Sequence, residues 1–228
     1  MKIPLFDLDG TLIKAGNNVR RVSFSYAIKE VSGLDSSPDE INDRSGMIDS
    51  QIFIKLLAVH GISKQKSIEK LPELFLNMEK YLIEHETEMK HESIEGAYEL
   101  LEELYKKNIP IAVLTGNPEI ISWKKLEKTN LKQFISAGAF GNMALIRSEL
   151  VPIILEKLQL ECDKQIQKSD LVIIGDTPND IICAKQAGIH SIGVATGKYS
   201  KEELKKEGAD LVVDSLLQKE KLISYLLE

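Results

Sequence analysis

Ile3-Pro4-Leu5-Phe6-Asp7-Leu8-Asp9-Gly10-Thr11-Leu12 is the stretch around which the rest of the chain is read. Its first residues form a short apolar run, the pattern of a strand buried on both faces. Two carboxylates follow at once, where burying a charge is costly unless something compensates it. Side chains alternate along a strand, so Asp7 and Asp9 project to one side if the extended geometry persists that far. Gly10 permits a sharp turn directly afterwards. The pair is therefore expected at a carboxyl edge, where open α/β sheets bind ligands, and paired oxygen ligands suit a hard cation such as Mg²⁺. The plainer reading is a strand that ends in a polar Asp-Gly turn.

The chain has 228 residues, 43% hydrophobic and 28% charged, which predicts a folded core domain with a smaller domain inserted or appended. The formal net charge of -6 with no basic block argues against general nucleic-acid binding, and an anionic substrate would need a metal ion or placed cations. No apolar run approaches the ~20 residues that span a bilayer. The N-terminus enters a predicted strand without a signal-peptide pattern, so a cytoplasmic protein with no membrane partner is expected. Cys162 and Cys183 suggest neither a disulfide framework nor a zinc site, leaving buried or half-buried thiols as the expectation. His60, His85, His91 and His190 show no metal-ligand spacing and read as surface or packing residues. Monomer and homodimer both stay open.

After the polar link Lys14-Ala15-Gly16-Asn17-Asn18, strand signals almost vanish. Phe24, Ala27, Ile28 and Val31 follow helical spacing, as do Leu71, Leu74, Phe75 and Met78, with a shorter stripe at Ile52, Phe53, Leu56 and Leu57. A helical module ending near His91 is predicted, with Pro72 marking the first turn or a kink of its third helix. From Ser93 helices alternate with apolar strands, as in a parallel sheet with crossovers. The strands are Ile109 to Leu114, a weaker one near Phe134 to Ala137, Leu171 to Ile174, Ser191 to Ala195 and Leu211 to Val213. The helices include Pro118 to about Thr129 and roughly Ser148 to Leu160.

Three predicted strands thus end in polar tips: Asp7 with Asp9, Thr115-Gly116-Asn117, and Asp176 with Asp180. All would converge on one sheet edge if the strands are neighbours. The second tip offers a hydroxyl and N–H groups at a helix start, a receptor for phosphate oxygens, and the third offers more carboxylates for a cation. Each has a structural reading as well. Asn117 before Pro118 is a plausible N-cap, and Thr177-Pro178-Asn179-Asp180 resembles a capping box with Asp in place of Glu. Capping does not explain Asp176, which directly follows the strand.

Taken in order, Asp7-Leu8-Asp9-Gly10-Thr11-Leu12, Thr115-Gly116-Asn117 and Gly175-Asp176-Thr177-Pro178-Asn179-Asp180 resemble motifs one, two and four of the haloacid dehalogenase-like hydrolases. The resemblance is closest to phosphoglycolate-phosphatase-like members, which carry a helical cap inserted after the first motif. It implies an α/β fold: a Rossmann-like parallel sheet core over residues 1–14 and 92–228, and a small α-helical cap over 15–91. It also implies two-step phosphoryl transfer to and from Asp7, with Asp9 as general acid and base. Mg²⁺ would be held by Asp7, the backbone carbonyl of Asp9 and Asp176, with Asp180 a further candidate. Thr115, with the Gly116 and Asn117 amides, would hold the transferring oxygens.

The third motif, normally a lysine before a proline, is where this sequence departs. Arg147 stands where that lysine would fall, and arginine binds phosphate bidentately without being equivalent to lysine. Its plain reading is an exposed helix-start residue. Lys125 is the reserve candidate, read more simply as a solvated surface lysine. In the cap, Arg20 and Arg21 could meet an anionic substrate or be surface charge, and Arg44 to Asp49 resembles the substrate-facing turn of related caps. Asp9 argues for phosphoryl transfer rather than dehalogenation, since a departing halide needs no proton. The implied activity is a Mg²⁺-dependent phosphatase of a small phosphorylated metabolite, phosphoglycolate-like by resemblance. A phosphomutase acting on a sugar phosphate and a non-catalytic phosphate- or metal-binding regulatory protein are the alternatives.

Overall fold

The computed structural model describes residues 1–16, 18–162 and 165–228; Asn17 of the polar link lies outside the described residues. Six strands, β1 (Ile3–Phe6), β2 (Ala112–Leu114), β3 (Ala137–Ala139), β4 (Leu171–Gly175), β5 (His190–Val194) and β6 (Leu211–Val213), form one parallel sheet in the order β3-β2-β1-β4-β5-β6. The order reverses beside β1, which lies between β2 and β4. That is the topological switch point at which a crevice opens at the carboxyl ends of α/β strands. Phe6 is level with Val113 on one side and Ile174 on the other, so Asp7, Thr115 and Asp176 leave the sheet along the same edge.

The helices are α1 (Asn18–Ser32), α2 (Asp49–Val59), α3 (Lys64–Glu84), α4 (Ala97–Lys106), α5 (Glu119–Lys128), α6 (Leu150–Glu161), α7 (Pro178–Ala187), α8 (Lys201–Glu207) and α9 (Lys219–Leu227). Side-chain alternation sends Phe6, Val113, Val172 and Ile174 into a cluster with Leu100, Leu126 and Leu222, from α4, α5 and α9. It sends Ile3, Leu5, Leu114 and Ile173 into a second cluster with Leu150, Ile154 and Ala184, from α6 and α7. The sheet is thus apolar on both faces, which is why its strands read as continuous hydrophobic runs.

Helices α1 to α3 bury a third cluster, built on the three stripes read from the sequence and including Phe24, Phe53, Leu74 and Met78. The chain leaves for this layer and returns from it side by side. The Lys14 N–H donates to the Glu92 carbonyl at 2.8 Å and the Ile94 N–H to Leu12 at 2.9 Å, around an antiparallel bridge between Ile13 and Ser93.

Two strand boundaries are corrected, and one of the two readings of Pro72 is removed. Strand β2 starts only at Ala112, since Pro110 has no N–H to give a ladder. The strand expected at Phe134 to Ala137 begins instead at Ala137, because Lys132–Phe134 wind into a 3₁₀ turn that turns Phe134 into the core. Pro72 stands inside α3 rather than in its first turn; the packing of Leu71, Leu74, Phe75 and Met78 around it offsets the missing hydrogen bond.

Candidate active site

A cavity of about 610 Å³ opens over the switch point, between the sheet edge and the helical layer. That volume suits a small molecule. Asp7 and Asp9 enter it from the end of β1, Thr115 to Asn117 from β2, Asp176 from β4, and Arg20 and Arg44 to Met47 from the helical layer.

Asp7, Asp176 and Asp180 each offer a carboxylate oxygen within 4.8 Å of the others, and all three side chains are buried. Burial pushes Asp7 up to about 6, helped by the charges of Asp180 and Asp9 and opposed by Arg147. Asp176 rises to about 8 through burial and its proximity to Asp7 and Asp180. Three carboxylates against the single guanidinium of Arg147 leave a net negative cluster of hard oxygen donors, which fits Mg²⁺. Gly10 makes room for it: at its φ of +92° a side chain is strained, and a Cβ there would collide with the Asp176 carboxylate.

Asp180 is occupied on both oxygens. One accepts from Arg147 at 2.5 Å; the other accepts from the Thr177 N–H at 3.0 Å and the Thr177 hydroxyl at 2.7 Å, the reciprocal half of the expected capping box. Asp176 accepts from the Thr11 hydroxyl at 3.1 Å.

Arg147 is not an exposed helix-start residue. It is 5% exposed, and one terminal nitrogen donates to Asp7 at 2.9 Å, to Asp180 and to the Leu114 carbonyl, while the other donates to the Gly46 carbonyl at 2.9 Å. The charges of Asp180 and Asp7 outweigh its burial and raise its pKa. A 3₁₀ turn at Arg147–Glu149, tightened by Glu149 accepting from the Leu145 and Ile146 N–H groups, carries it into this position.

Lys125 is the larger correction. Far from being solvated, it is 3% exposed, and its ammonium grips both oxygens of Asp9 at 2.6 and 2.7 Å and the Asn117 side-chain oxygen at 3.2 Å. Burial alone would raise the Asp9 pKa, but Lys125, Arg20 and the Asn117 hydrogen bond together lower it. Asn117 is corrected too. Pro118, not Asn117, caps α5, and the Asn117 amide instead donates to Asp9 and to the Thr115 hydroxyl, both at 2.9 Å. One signal for Lys125 was available: Ile121, Ser122 and Leu126 form the buried stripe of α5, and Lys125 lies on it.

Arg20 is part of the cavity wall rather than surface charge. It reaches Asp49 at 2.5 Å and lowers its pKa, but burial outweighs the arginine and leaves Asp49 raised to about 6. Arg21 lies farther out, paired with Asp39 at 2.6 Å. His91, expected to be a surface or packing residue, lines the cavity. The Arg44 to Asp49 turn is pressed onto the core. The Asp49 N–H donates to the Gly116 carbonyl at 3.0 Å and Ser50 to Gly141 at 2.7 Å, and Ile48 joins the apolar cluster between the sheet and α6 and α7. Gly116 must be glycine for this approach, since a Cβ there would strike the Met47 carbonyl.

Residues 4–194 match the family model for haloacid dehalogenase-like hydrolases. The chain belongs to that family. A phosphoglycolate phosphatase of Agrobacterium fabrum is 27% identical over 217 residues, covering 93% of this chain and 88% of its own. Another, from Vibrio parahaemolyticus, is 24% identical and covers 95% and 93%. The crystal structure of a hydrolase from Pseudomonas syringae aligns over 99% of both chains with a TM-score of 0.71 at 19% identity, which speaks for the fold. Family membership and phosphatase relatives of nearly full length support an enzyme of the phosphatase class. Among the described residues no helix is long and apolar enough to cross a membrane.

Proposed function

We propose that this haloacid dehalogenase-like hydrolase is a Mg²⁺-dependent phosphatase of a small phosphorylated metabolite, phosphoglycolate-like in size and charge, working through an aspartyl-phosphate at Asp7. The carrying observation is the gathering of Asp7, Asp176 and Asp180 within 4.8 Å at the sheet edge, in one cavity with Thr115 and Asp9. Nucleophile, proton carrier and phosphate receptor then stand together.

In the first step an Asp7 oxygen bonds to phosphorus as the bond to the leaving oxygen breaks, and Asp9 passes to that oxygen the proton it took from water in the preceding turnover. In the second, a water oxygen attacks the aspartyl-phosphate while Asp9 takes its proton, releasing Asp7 and inorganic phosphate. The Thr115 hydroxyl and the backbone N–H groups of Gly116 and Asn117 hold the non-reacting oxygens. Arg147 aims Asp7 and balances its charge against Asp180. Mg²⁺, when bound by Asp7, Asp176 and the Asp9 backbone carbonyl, offsets repulsion between the carboxylate nucleophile and a phosphate dianion.

We take residues 15–91 as a cap over a core of 1–14 and 92–228. Apart from Ile121, the buried residues of their apolar cluster all lie within 15–91, which supports this division. The cationic rim, with Lys14, Arg20, Arg44, Lys90 and Lys198, supports an anionic substrate in an otherwise acidic chain. A cytoplasmic setting goes with this reading. The test is release of inorganic phosphate from phosphoglycolate and from a panel of phosphate monoesters, with Mg²⁺ and with EDTA. Release that EDTA abolishes is expected. No release from any member would leave a phosphate- or metal-binding regulator, and phosphate moving to a second hydroxyl without liberation would point to a mutase.

A further inference from the structure

We infer that Lys125 is a positioning residue for Asp9, and that with Asn117 it makes leaving-group protonation a separately adjustable part of the site. The inference rests on the phosphatase reading above.

The geometry has two halves. Asp7 is held by Arg147, carried by the turn before α6. Asp9, two residues on, is held by Lys125 from α5, with both carboxylate oxygens engaged by one ammonium. The Lys125 side chain is 4% exposed and that of Asp9 27%, so the lysine backs the carboxylate while the carboxylate fronts the cavity. A leucine or methionine on this buried stripe would fill similar space without desolvating an ammonium, so packing does not account for a lysine here.

Gripping both oxygens fixes the plane of the Asp9 carboxylate, and a group that must meet a leaving oxygen within hydrogen-bond reach gains from that fixed plane. The grip also closes a ring. Lys125 donates to the Asn117 side-chain oxygen, the Asn117 amide donates to Asp9, and the same amide donates to the Thr115 hydroxyl. The group meant to receive phosphate oxygens and the group meant to protonate the leaving oxygen are thereby aligned by one hydrogen-bonded unit. Arg147 bonds to Asp7, Asp180, Leu114 and Gly46 rather than to this ring, so the two cations serve different events.

The leaving group separates this from a purely structural role. Phenyl phosphate departs as a poor leaving group that needs a proton; p-nitrophenyl phosphate departs without that help. For Lys125→Met with Mg²⁺, kcat should fall ~100-fold on phenyl phosphate and only a few-fold on p-nitrophenyl phosphate, in line with the 10²–10⁴ range for positioned acid–base groups. Arg147→Lys should lower both by a common factor. Lys125→Gln, which keeps one donor to Asp9, should fall between wild type and Lys125→Met, and a crystal structure of Lys125→Met should show the Asp9 carboxylate turned. Independently of any Lys125 variant, the ¹⁵N-labelled wild-type protein should give a slowly exchanging lysine ammonium signal that Asp9→Asn abolishes. Equal losses on the two esters, an unmoved Asp9 or an absent ammonium signal would each overturn the inference. Wild-type protein that turns over neither ester would instead overturn the phosphatase reading.

Discussion

Arg147 donates to the backbone carbonyl of Gly46 at 2.9 Å through one terminal nitrogen while the other holds Asp7 at 2.9 Å. One guanidinium therefore ties the turn of the helical layer to the first-motif aspartate. Arg147→Ala leaves Asp7 and Asp180 facing each other unneutralised and frees the turn. Removing one partner of a buried ion pair costs ~3–5 kcal/mol, so a clear fall in melting temperature is expected. Arg147→Lys restores the charge without the planar fork, and faster limited proteolysis within residues 43–48 than in wild type is expected from it.

Asp7→Asn should abolish phosphate release, a loss of at least ~10³-fold on the scale of removed nucleophiles. It should not unfold the protein. Asp7 is raised to about 6 by burial and by neighbouring acids, so removing its charge relieves repulsion, and a thermal melt at pH 8 without metal should show a midpoint at or above that of wild type.

The pH dependence of the metal-free protein follows from Asp7 and Asp176, raised to about 6 and about 8. Between the unfolded carboxylate range near ~4 and these values the folded state holds protons that the unfolded chain has released. The contribution of these groups is therefore complete below pH ~4 and is lost as pH rises through their folded values. Melting midpoints without metal should decline from pH 5 to pH 8.5, and the gain on adding Mg²⁺ should be larger at pH 8 than at pH 5.5. A Mg²⁺ effect independent of pH would remove Asp176 as a ligand.

Arg20 is held by Asp49 within the cavity wall. Replacing the pair together, Arg20→Met with Asp49→Asn, avoids stranding a buried charge. For an ester carrying a carboxylate, KM should rise ~10-fold, about the value of one charge-assisted hydrogen bond. For p-nitrophenyl phosphate it should change little. Steady-state kinetics on the two substrates decides this.

The parts of the molecule legible in the sequence are those governed by local pattern. Continuous apolar runs marked Leu5, Val113 and Ile173 as sheet interior, and helical spacing marked Phe24, Phe53 and Met78 as the core of a second layer. The gathering of Asp7 and Asp176 followed because polar tips end neighbouring parallel strands. Lys125 was not legible in the same way. Its partner Asp9 lies 116 residues away, and a lysine on a helix is solvated unless a long-range contact accounts for it. Asn117 misled for a related reason: asparagine before proline has a local capping role available, and only the tertiary arrangement shows that its amide is used by Asp9 and Thr115. Arg20 lacked a signal because Asp49, which holds it, sits on another helix.

The paired crossing at Leu12 to Lys14 and Glu92 to Ile94 has a consequence for how such a molecule is assembled. The outgoing and returning segments are joined by hydrogen bonds of 2.8 and 2.9 Å, so the chain passes between sheet and helices through a two-ply stem, while the bonds at Gly46, Asp49 and Ser50 form a second, non-covalent attachment. A different insert whose ends lie equally close would also have to satisfy the Gly116 and Gly141 carbonyls that Asp49 and Ser50 satisfy here. Tilting the whole helical roof asks for dihedral changes at this stem and for release of the bonds that Gly46, Asp49 and Ser50 make to the sheet edge.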